Sequence, residues 1–149
     1  MQTMSTIPTL AGSKYTGPNM FEFRRIVDLG QGQWTVFSGM DEQCLFAAMF
    51  GASGNIGSTL NYMAGAYREI HEAVANGDHV RGTDLQLRAN IITAQLIDVG
   101  FLGGLKAVMT HLGFDCGATR LPNAMLPQDA WQPLFTKITH SGFTELAEM

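Results

Sequence analysis

The chain has 149 residues, 46% of them hydrophobic, with 17 glycines and a net charge of −4. That length suits one domain with a buried core and is too short for two ordinary ones. An acidic balance excludes the cationic footprint of a nucleic-acid binder, and no lysine or arginine run marks a membrane surface. No stretch approaches the roughly 20 apolar residues of a membrane span. Met1 to Thr6 has neither a basic start nor an apolar run, so no secretory leader is expected. Cys44 and Cys116 fit no metal or redox spacing, and His71, His79, His111 and His140 are scattered. No metal site is therefore expected, and two free thiols in a reducing cytosol are.

In chain order, Ile7 to Gly17 reads as a short apolar strand ending in a polar tip that carries Lys14. Alternation puts Leu10, Gly12, Lys14 and Thr16 on one side, and Gly12 leaves open space beside the lysine. A lysine at the end of a buried strand is pushed toward the neutral amine, because desolvation disfavours an ammonium. The free amine is a nucleophile that condenses with ketones. A lysine that merely ends a strand in solvent has the same local pattern.

Gly17-Pro18-Asn19 is a turn, and Asn19 can cap a helix carrying Phe21, Phe23, Ile26, Val27 and Leu29, which Gly30 and Gly32 end. Trp34 to Ser38 is β-branched and aromatic, hence a strand. Asp41 and Glu42 follow Gly39 and Met40, where a new helix begins. Carboxylates there suit a binding site, and they equally suit a helix start. Gly51 to Thr59 reads as a short glycine-rich strand with turns. It lacks the lysine of a phosphate loop and the first G-x-G of a dinucleotide fingerprint, so close backbone packing at a strand that exposes Ser58 is the better reading.

From Asn61 the character turns helical. Tyr62, Ala66, Ile70 and Val74 recur at helical spacing up to Asn76-Gly77. Asp78 can cap a helix with apolar positions Val80, Leu85, Leu87, Ile91, Ile92, Leu96 and Val99, stopped by Gly100. A shorter helix spans Leu105 to Leu112, with Val108 and Met109 inward and Lys106 outward. Gly117 to Pro127 is a loop, Asp129 to His140 a last helix, and Ser141 to Met149 a frayed tail. Strands alternating with helices indicate parallel β/α units. About three strands cannot close a barrel of eight.

Four stretches carry a resemblance. Gly12-Ser13-Lys14-Tyr15-Thr16, Ser38-Gly39-Met40-Asp41-Glu42, Gly51 to Asn61 and Gly104-Leu105-Lys106 resemble the N-acetylneuraminate lyase branch of the pyruvate-dependent class I aldolases, the group that contains dihydrodipicolinate synthase. They stand in family order and spacing and cover Ile7 to Leu126. Glu42 after Asp41, and Gly57-Ser58-Thr59, favour the lyase branch. The resemblance implies an α/β fold, a partial TIM (β/α)8 barrel. Residues 7–76 would be its last three β/α units and residues 78–140 a C-terminal helical extension of one incomplete domain. The first five units have no counterpart here, nor has the family's proton-relaying tyrosine, since Tyr15, Tyr62 and Tyr67 do not match its motif.

Carried over, the resemblance makes Lys14 the Schiff-base lysine of a sialic acid aldolase, with Thr16, Gly39, Asp41, Glu42 and Ser58 lining the sugar side. Substrate and products would be sialic acid, N-acetylmannosamine and pyruvate. No cofactor or metal is implied, and no nucleic-acid or membrane partner. The setting implied is a cytoplasmic homotetramer. Two other readings stand beside it: an aldolase for another 2-keto-3-deoxy acid, including a dihydrodipicolinate synthase-like lyase, and a non-catalytic fragment that associates with intact subunits through its unpaired strand edges.

Overall fold

The structure is a computed structural model that describes residues 6–149. The leader expectation for the first residues falls largely on 1–5, outside the described residues. Three short strands alternate with helices: β1 (Gly12–Tyr15), α1 (Met20–Leu29), β2 (Thr35–Ser38), α2 (Cys44–Met49), β3 (Gly54–Asn55) and α3 (Leu60–Ala75). A single 3-10 turn, Asp41–Gln43, leads into α2. Four more helices follow: α4 (His79–Asp98), α5 (Phe101–His111), α6 (Trp131–His140) and α7 (Phe143–Glu148). The sheet is parallel in the order β1-β2-β3, with Lys14 beside Phe37, Tyr15 beside Ser38, and Ser38 beside Asn55. Among the described residues no single helix is long and apolar enough to cross a membrane.

Caps set the helix starts where the sequence places them. The Asn19 side chain accepts hydrogen bonds from the Phe21 and Glu22 amides, and Asp78 accepts one from Arg81. One sheet face packs on the outer helices: Val36 joins Phe23 of α1 and Ala47 of α2 in a small core, with Tyr15 against it. The larger core lies between α3, α4, α5, α6 and α7, around Tyr67, Ile70, Leu85, Ile92, Ile138 and Leu146. α3 bends at Met63, whose φ and ψ are −134° and 33°.

Several expectations need correction. The first strand, Gly12–Tyr15, is shorter than the stretch Ile7 to Gly17, because the chain turns at Pro8-Thr9 and the Leu10 amide bonds back to the Ile7 carbonyl. The glycine-rich strand shrinks to two residues. Val80, Leu87 and Ile91 of α4 are exposed, so only part of its apolar set faces the core. α5 begins four residues before Leu105, and Met109 is half-buried.

Lys106 does not stand free in solvent. Its ammonium donates to the carbonyls of Cys116, Gly117 and Ala118 at 2.8, 3.3 and 2.9 Å, holding the loop after α5. The C-terminal tail is not frayed. Gly142 adopts a left-handed φ of 86°, and α7 then turns Phe143 and Leu146 into the larger core. Glu145 pairs with both terminal nitrogens of Arg88 on α4.

Candidate active site

All six candidate residues lie at or just beyond the carboxyl ends of the three parallel strands, the edge on which barrel enzymes build their sites. Lys14 is in β1 and Thr16 follows it; Gly39, Asp41 and Glu42 follow β2; Ser58 follows β3. Two contact groups result.

The first joins Lys14, Thr16 and Gly39. The Gly39 amide donates to the Tyr15 carbonyl at 2.8 Å, which continues the ladder past β2. A Cβ on Gly39 would overlap Thr16 Oγ1 and Lys14 Cε. A side chain at position 39 would have to displace the exposed side chains of Thr16 and Lys14, to which the glycine leaves room. The lysine stem therefore runs along a bare patch of backbone.

The second group surrounds Asp41, which is 3% exposed. Its Oδ2 accepts from the Thr59 amide at 2.9 Å and the Thr59 hydroxyl at 2.7 Å. Thr59 Oγ1 and the Tyr67 hydroxyl are 2.7 Å apart. A hydroxyl has one proton. Thr59 gives its proton to the carboxylate, so the phenol is the donor in the second bond. Asp41 Oδ1 is buried with no hydrogen-bond partner among the described residues. The carboxyl group lies on the α-carbon of Gly57, where a Cβ would overlap all three of its outer atoms. Glu42 is half-buried and Ser58 exposed.

The surroundings of Asp41 hold other ionisable groups neutral. Burial, reinforced by the charge of Asp41, pushes the Cys44 thiol up to about 12. Burial likewise pushes the phenols of Tyr62 and Tyr67 up, with Asp41 adding to both. Because the thiolate is the reactive form, Cys44 is expected to be inert in the native chain. Iodoacetamide at pH 8 should alkylate exposed Cys116 alone, with Cys44 reacting only in denaturant. Peptide mass spectrometry reads this directly, and rapid native alkylation of Cys44 would contradict it.

One site expectation fails. Lys14 is exposed, not enclosed at the end of a buried strand. It shares a sheet face with Phe37, its register partner, opposite the face that packs on α1 and α2. Among the described residues no further strand covers that face.

Sequence reasoning used Gly57-Ser58-Thr59 to favour the lyase branch but gave a site role to Ser58 alone, whereas Gly57 and Thr59 seat and bond the Asp41 carboxylate. It missed Gln86 and Asn90 of α4 altogether. Gln86, 4% exposed, donates to the Asp41 carbonyl and accepts from the Leu45 amide; Asn90 donates to the Glu42 carbonyl. No local pattern announces these contacts, which span 41 to 48 residues.

Comparison with known proteins adds a family. Residues 1–141 match the model of the dihydrodipicolinate synthetase family. N-acetylneuraminate lyase 2 of Escherichia coli O6:H1 is 33% identical over 108 residues, which are 72% of this chain and 35% of that protein. The structure of Proteus mirabilis N-acetylneuraminate lyase superposes with a TM-score of 0.83 at 31% identity, over 92% of this chain and 46% of that one. A Sulfolobus solfataricus 2-keto-3-deoxygluconate aldolase variant shares the fold, with a TM-score of 0.85 at 21% identity over 99% of this chain and 50% of that one. The chain thus spans between about a third and a half of the length of the relatives it matches.

Proposed function

The chain belongs to the dihydrodipicolinate synthetase family, and from that membership we propose that it carries the lysine-bearing part of an N-acetylneuraminate lyase, a carbon–carbon lyase of the class I aldolase type. Its fold is a partial (β/α)8 barrel with added helices. On this reading residues 7–76 are the last three β/α units and the helices from 78 onward the extension, which α7 carries past residue 140.

The observation that carries the proposal is the meeting of Lys14, Thr16 and Gly39 at the carboxyl edge of the sheet, with two carboxylate residues on the next turn. The Lys14 amine adds to the ketone carbon of the open-chain sugar acid, and water leaves to give an iminium. The carbon–carbon bond one carbon removed from the iminium then breaks: the hydroxyl on its far carbon gives up its proton to solvent, that carbon departs as the aldehyde of N-acetylmannosamine, and the bonding pair flows to the iminium to give an enamine. The enamine left behind takes up a proton and is hydrolysed to pyruvate and the free amine. Thr16, Gly39, Asp41, Glu42 and Ser58 line the sugar end, where carboxylate oxygens accept from a polyol's hydroxyls. The setting that accompanies the reading is a cytoplasmic homotetramer.

Pyruvate with borohydride tests it. The chain should acquire a reduced pyruvyl adduct on Lys14 that Lys14→Ala abolishes, located by peptide mass spectrometry. Lys14 left unmodified would defeat the proposal. The likeness to a 2-keto-3-deoxygluconate aldolase favours a second reading, turnover of shorter sugar acids. Relative kcat/KM on N-acetylneuraminate and 2-keto-3-deoxygluconate separates the two.

A further inference from the structure

We infer that Gln86 and Asn90, on the first helix of the extension, are positioning residues that fix the turn carrying Asp41 and Glu42, and so set affinity for the sugar end of the substrate without affecting capture of pyruvate. The inference rests on the lyase reading above.

Locally the turn is held by the Gln43 amide on the Met40 carbonyl, the Cys44 amide on the Asp41 carbonyl and the Met40 amide on the Ser38 hydroxyl. It is one 3-10 turn, and neither Met40 before it nor Gln43, which precedes α2, supplies a side-chain cap. Helix N-termini leave their first amides without intrahelical partners. Here the Leu45 amide, in the first turn of α2, donates to Gln86 Oε1 at 2.8 Å. Gln86 Nε2 donates one proton to the Asp41 carbonyl at 3.0 Å and the other to Asn90 Oδ1 at 2.9 Å. Asn90, one helical turn further along, donates to the Glu42 carbonyl at 3.1 Å.

The amide orientation of Gln86 is forced. Flipped, it would set its oxygen against the Asp41 carbonyl and Asn90 Oδ1 and its NH2 against the Leu45 N–H, replacing three bonds by three repulsions. Two side chains spaced i, i+4 on one helix thus grip three backbone groups across the turn, at residues 41, 42 and 45. Thr59 fixes the Asp41 side chain independently. With the backbone held on both sides of it, the direction in which Glu42 leaves the chain is set from α4. Lys14 lies on another strand and makes none of these bonds, which is why the two ends of the substrate should separate.

Three variants of the full chain test this: Gln86→Met, which keeps length and loses every amide bond; Gln86→Glu, which keeps the acceptor for Leu45 and loses the donors; and Asn90→Leu. Amide exchange of residues 41–45 should accelerate about tenfold or more in Gln86→Met, the worth of one or two lost hydrogen bonds, while α3 and the rest of α4 stay protected. Pyruvate labelling of Lys14 should stay within about twofold of the parent chain. KM for N-acetylneuraminate should rise about tenfold with kcat within about threefold, and Gln86→Glu should fall in between. Unchanged exchange overturns the inference, and so does an unchanged KM beside a loosened turn. Loss of protection everywhere together with labelling overturns it too, since Gln86 would then be only a core residue. If the parent chain neither labels with pyruvate nor cleaves the sugar acid, the lyase reading fails and the substrate half of the inference with it. The exchange data would still decide whether α4 holds the turn.

Discussion

Replacing Gly57 with alanine is expected to destabilise the chain by about 3 kcal/mol, an overpacking cost plus weakened charge-assisted bonds. The added methyl would occupy the space of the Asp41 carboxyl group. That group cannot swing aside cheaply. It is buried, and Thr59 holds it through both an amide and a hydroxyl. Moving it would strip the bonds from a buried polar side chain, a costly event in a protein interior. Urea unfolding measures the loss. Gly113→Ala is the control: that glycine has a φ of 94° and nothing within 4 Å of its would-be Cβ, so only a backbone cost of about 1 kcal/mol applies. Equal losses at the two positions would mean that the carboxylate contact carries no weight. Asp41→Ala in the Gly57→Ala background should recover part of the loss, a coupling of about 1 kcal/mol or more.

Leu146→Ala is expected to cost a similar amount, about 3 kcal/mol. Leu146 is fully buried although it is the fourth residue from the C-terminus. α7 packs against α3, where a Cβ on Gly65 would overlap the backbone of Met149. For a chain of this size the loss corresponds to a fall in melting temperature of roughly 6–12 °C. Were the last residues loosely attached, the substitution would act as a surface change, within about 0.5 kcal/mol. Amide exchange gives a second reading, with residues 143–148 expected to be protected to the same order as α3.

What the sequence disclosed and what it hid divide along a physical line. Periodicity and caps act over a few residues, so the alternation of strand and helix, the parallel sheet and the caps at Asn19 and Asp78 were all readable. The candidate site residues came from motifs, which singled out Gly39 and Asp41 without saying why they stand there. Their reasons are contacts at a distance: Thr16 and Lys14 against Gly39, the Asp41 carboxylate against Gly57, α4 amides against the turn. Burial is likewise non-local. A lysine at a strand tip looks enclosed in one dimension, yet Lys14 is open because enclosure depends on strands that are not its neighbours in sequence. α7 escaped notice because it is six residues long, with Phe143 and Leu146 at i, i+3 as its only signal.

The grip of Lys106 on three successive carbonyls makes this position intolerant of exchange between basic residues. An ammonium is a compact tetrahedral donor whose three protons can fan out to a curved row of oxygens. A guanidinium is a flat fork matched to carboxylate and phosphate. Arginine at position 106 would keep the charge and lose the convergence, so the segment from Cys116 to Ala118 would give up its anchor while the net charge stayed the same.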